Sequence, residues 1–140
     1  MPRWAPGPQA RMLVDAAELG IPFSMNLLAV GGDFYKKSPK SVEKIATAYV
    51  EGVAGLKTRK QQALEVLGRY MGRRGGAAEM HYEWVLKYLD NVPRVEPAAV
   101  ETILEMVGHS GPPRAKLFDN SIIDRLVQEG FIDRLYKGSR

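Results

Sequence analysis

Apolar positions along this chain follow one rule before residue 33 and another after it. In the first part, "RMLVDAAE" (11–18) and "FSMNLLAVGG" (23–32) hold short unbroken apolar runs. That is the pattern of strands covered on both faces, though a short helix also fits the first run. We read a strand ending near Asp15, a bend at Gly20-Ile21-Pro22, and a second strand terminated by Gly31-Gly32. From Asp33 onward the apolar residues return every three or four positions, the period of an amphipathic helix.

About five helices follow. Asp33 can cap one turn through Phe34 and Tyr35. Ser38-Pro39 reads as an N-cap with Pro at the first helical position, where the missing N–H costs nothing. Val42, Ile45, Ala46, Tyr49, Val50 and Val53 then form one inward stripe, and Gly52 and Gly55 would admit a close neighbouring helix. Thr58 and Gln61 have capping-box spacing for a helix with Leu64, Leu67, Tyr70 and Met71 inward, stopped by "GRRGG" (72–76). A third helix, about 77–90, is expected to bury Met80, Trp84, Val85, Tyr88 and Leu89. Pro97 opens a fourth, with Val100, Ile103, Leu104 and Val107 inward. One of Asp119, Asn120 and Ser121 caps a fifth, carrying Ile122, Ile123, Leu126 and Val127, and "FIDRLY" (131–136) adds a closing turn after Gly130. The expected class is therefore α/β and helix-rich, two short strands followed by about five helices. Two strands alone make a marginal sheet.

Composition narrows the picture only modestly. The 140 residues are 45% hydrophobic and 26% charged, ordinary for one globular domain. The net charge of +4 is a mild excess that surface lysines account for. No cysteine is present, so disulfides, thiolate catalysis and thiolate-bound zinc are excluded. No apolar run approaches the roughly 20 residues of a bilayer span. The opening "MPRWAPGPQ" (1–9) is a Pro-rich lead-in without the apolar core of a secretory signal.

Candidate chemistry is sparse. His81 and His109 have no His or Cys neighbour at a ligand spacing, so no metal site is expected. Gly31-Gly32 lacks the further glycines or the Lys-Ser/Thr of a phosphate loop. The basic runs "YKK", "KTRK" and "GRR" lie at helix ends without interleaved aromatics, which argues against a nucleic-acid groove. Neither catalytic residues nor a cofactor are expected. Ser24 and Asn26, polar residues just after the proline bend, are the candidate ligand-binding positions.

Four segments in fixed order nonetheless carry a resemblance: "ELGIPF", "DFYKKSPKSVEKIATAYVEG", "KQQALEVLGRYMG" and "FDNSIIDRLVQEGFIDRLYKG". Together they resemble the later part of substrate-binding proteins of ABC importers, of the nitrate/sulfonate/taurine and thiamine-precursor type. The resemblance covers nearly everything from residue 10. It implies the C-terminal portion of a periplasmic-binding-protein-like (type II) fold, with residues 10–140 a truncated half and Ile21-Pro22-Phe23 at a crossing between lobes. It further implies a non-enzymatic component of an ABC-type uptake system. The solute would be a sulfonate, nitrate, pyrimidine or small organic anion, passed to an ABC permease outside the cytoplasm. With strand edges unmet, a homo-oligomer or strand-swapped dimer is expected, and binding would be impaired or dependent on that association. A stand-alone helical adaptor or self-associating interaction protein is the alternative, with a small basic nucleic-acid binder behind it.

Overall fold

The structure, a computed structural model, describes residues 13–24, 27–72, 75–108 and 117–137. The lead-in 1–9, Asn26, Arg73, Arg74 and His109 lie outside them. Among the described residues a 3-10 turn, Ala16–Leu19, precedes seven α-helices. In chain order these are α1 (Gly32–Lys37), α2 (Pro39–Thr58), α3 (Lys60–Met71), α4 (Gly76–Tyr88), α5 (Pro97–Met106), α6 (Ser121–Gln128) and α7 (Phe131–Lys137).

No strand occurs among the described residues, and this corrects the expected α/β class. Residues 13–15 and 27–31 are irregular. The apolar runs are there, but a strand exists only through a hydrogen-bonded neighbour, and neither run has one among the described residues. Gly31-Gly32 also ends no strand: Gly31 is the N-cap of α1 and Gly32 its first residue.

The 20-residue α2 is the centre of the packing, touching α1, α3, α4, α6 and α7. Its start is as expected, with Ser38 at the N-cap and Pro39 at the first position. Ser38 caps through its carbonyl, which accepts the amides of Ser41 (2.9 Å) and Val42 (3.1 Å), and not through its side chain. Two groups pack against α2. In one, Val50 meets Ile123 and Leu126 of α6 and Ile132 of α7. In the other, Ala63 and Leu67 of α3 meet Tyr82 of α4 beneath Leu56. Tyr82 is buried, and its hydroxyl donates to the Lys57 carbonyl at 3.3 Å. Lys57 in turn donates to the Leu89 carbonyl at 2.6 Å, closing the end of α4.

Small residues mark the helix contacts. Ala46, Ala54, Ala63, Ala78 and Ala99 are all buried, while Ile45, Tyr70, Met71, Met80, Trp84 and Val107 from the expected inward stripes are exposed. Val42, Ala46, Val50 and Val53 of the expected α2 stripe are buried as read, with Leu67, Ile123 and Leu126, while in α3 and α4 alanines take places at the contact that the larger side chains were expected to fill. Gly52 and Gly55 admit no close neighbour, since a Cβ at either would meet nothing. The expected capping box fails for another reason. Thr58 is still helical in α2, its hydroxyl donating to the Ala54 carbonyl at 2.7 Å, and Arg59 separates α2 from α3. The stop after α3 is as read: Gly72 adopts φ 63°, a left-handed cap that favours glycine.

Candidate binding surface

Residues 13–24 and 27–35, the strap, carry a series of large apolar side chains open to solvent. Leu13 is 82% exposed, and Ile21, Phe23, Leu27, Leu28 and Phe34 are exposed as well. Scattered exposed apolar residues are ordinary, whereas a contiguous apolar patch marks an interaction site. Among the described residues no backbone hydrogen bond joins 20–24 or 27–30 to the rest of the chain. Residues 20–24 and 27–30 therefore present apolar side chains together with main-chain groups that have no backbone partner among the described residues.

Polar contacts pin it at both ends. At the first, Lys87 of α4 donates to Asp15 at 3.0 Å and to Glu18 at 3.2 Å, and the Tyr88 hydroxyl donates to the Asp15 carboxylate. The Lys87 ammonium sits 4.8 Å from the centroid of the Tyr88 ring. Contacts with Tyr88, then Asp15 and Glu18, hold its pKa above the ordinary lysine value. Trp84 stacks at a tilt on Tyr88, 5.1 Å between centroids, and continues the aromatic surface along α4.

At the other end, the Tyr35 hydroxyl of α1 donates to Asp119, just before α6. That bond, with the hydroxyl and amide of Ser121, holds the Asp119 carboxyl below the usual carboxylate range, and it raises the Tyr35 hydroxyl correspondingly. Asp119 also accepts the Ser121 amide at 2.7 Å, so one carboxylate both caps α6 and anchors the strap. Next to it, Asn120 uses its whole amide: Oδ1 accepts from the Val95 amide and Nδ2 donates to the Val95 carbonyl, both at 2.9 Å. This ties the connector 91–96 to the head of α6, with Arg94 on Asp124 at 2.8 Å beside it. Asn120 is the N-cap of α6, and the role of the Asp-Asn-Ser run is to join three parts of the chain. Glu43 of α2 reaches Arg125 of α6 at 2.7 Å on the same side.

Of the two sequence-derived binding positions, Ser24 lies on the strap and is half-buried, and Asn26 lies outside the described residues. His81 is half-buried on α4 with its ring 6.4 Å from Trp84. No group of three His, Asp or Glu side chains among the described residues could hold a metal ion. A depression of about 1000 Å³ lies between α3 and α4 beside Leu64, Gly68 and Arg69. No buried polar side chain converges on it, so it lacks the fixed donors of a ligand site. No helix among the described residues is long and apolar enough to cross a membrane.

Sequence reasoning missed Asp15, Lys87 and Tyr88 as an anchor, because their pairing spans the length of three helices. Tyr35, Asp119 and Asn120 were nearer to hand. They fall within two of the segments that carry the resemblance, and their cap-forming chemistry was visible. Comparison with protein-family models, curated proteins and solved structures finds no match.

Proposed function

We propose that this chain is a solute-binding component of an ABC-type uptake system, taking a sulfonate, nitrate, a pyrimidine or a small organic anion outside the cytoplasm and presenting it to a membrane permease. One observation carries the reading. The segments 33–52 and 118–137, distant in sequence and both part of the resemblance, close on one another. Tyr35 meets Asp119, Glu43 meets Arg125, and Val50 packs on Ile123, Leu126 and Ile132. Residues that would otherwise be an arbitrary string thus act as one joint.

In this reading the strap borders the solute, with Ser24 and Asn26 as contacts, and affinity depends on whatever covers the strap. The experiment is a thermal-shift series on the purified chain with nitrate, taurine, alkanesulfonates, pyrimidines and small carboxylates. A ligand at about 100 times its Kd stabilises by about 2.7 kcal/mol, a rise of several degrees in Tm. The reading expects such a rise with one class and its loss in Ser24→Ala. No rise with any of them contradicts it.

The exposed strap favours a second reading, a helical adaptor that works through protein contacts alone. That reading expects the same screen to be blank.

A further inference from the structure

We draw no further inference here: the strongest candidate, the surface patch of exposed apolar residues Ile21, Phe23, Leu27, Leu28 and Phe34 on the strap between the 3-10 turn and α2, is an unpartnered face, and nothing in the structure shows what covers it.

Discussion

Val50 and Leu28 are both aliphatic, yet Val50 is 0% exposed and Leu28 48%. The difference lies in what each region offers its neighbours. Around Val50, three helices present apolar faces whose backbone bonds are already made, so packing completes them. Around Leu28 the side chains stay about half exposed and the main chain finds no backbone partner among the described residues. A helix can be finished locally; an extended apolar segment cannot. The helical body is therefore packed on itself, whereas residues 27–30 stay open to solvent among the described residues.

Five substitutions sharpen this contrast. The largest effect is expected at the α2–α6–α7 joint. Leu126→Ala, which opens a cavity against Val50, should cost about 2–4 kcal/mol in urea unfolding, while Leu27→Ala on the strap should stay within about 0.5 kcal/mol in the monomer. Equal costs would show that the strap is packed after all. Next comes Asn120→Ala. It leaves the half-buried amide and carbonyl of Val95 unmatched, and a loss of about 1–3 kcal/mol should follow, with faster exchange of the Val95 amide. If that amide exchanges unchanged, the connector is held by something else.

A gain is expected at Tyr136. Its hydroxyl is buried in the same joint without a partner among the described residues, and burial raises its pKa. Tyr136→Phe removes the stranded group and should be neutral or up to about 1 kcal/mol stabilising. Any clear loss would reveal a bond to the hydroxyl.

The smallest effect concerns the strap's anchor at Asp119. Its folded pKa is depressed, so its contribution is present above the unfolded value of about 3.9 and fades as pH falls through the folded value. The carboxylate is largely exposed, and solvent screening keeps the effect small. For Tyr35 the folded pKa is raised, so its contribution is present below about 10 and fades as pH climbs through the folded value. Asp119→Asn should flatten the acid limb of stability against pH, and an unchanged limb would assign it to other carboxylates.

The sequence disclosed the boundaries of the helices better than their faces. Pro39, Pro97, Gly72 and Gly130 stand where expected, because proline and left-handed glycine act through local geometry. The faces were misjudged where apolar residues run nearly all round, as in α4. There Trp84 and Met80 are exposed while Tyr82 and Ala78 are buried. Periodicity counts large side chains, but α4 meets α3 through Ala78 and Tyr82, and that choice depends on the partner helix. Leu13-Val14 and 27–30 were read as strands because their composition suits a sheet, and the neighbour that would make them strands is not encoded locally. Of the candidate surface, Ser24 and the Asp-Asn-Ser run were visible, whereas the Asp15–Lys87–Tyr88 anchor needed the fold.

Hydrogen exchange tests the contrast most directly. Amides of α2, α6 and α7 should be strongly protected, and those of 27–30 should exchange at close to the rate of an unstructured chain. Protection of 27–30 equal to that of α2 would contradict a packed helical body beside an uncovered strap.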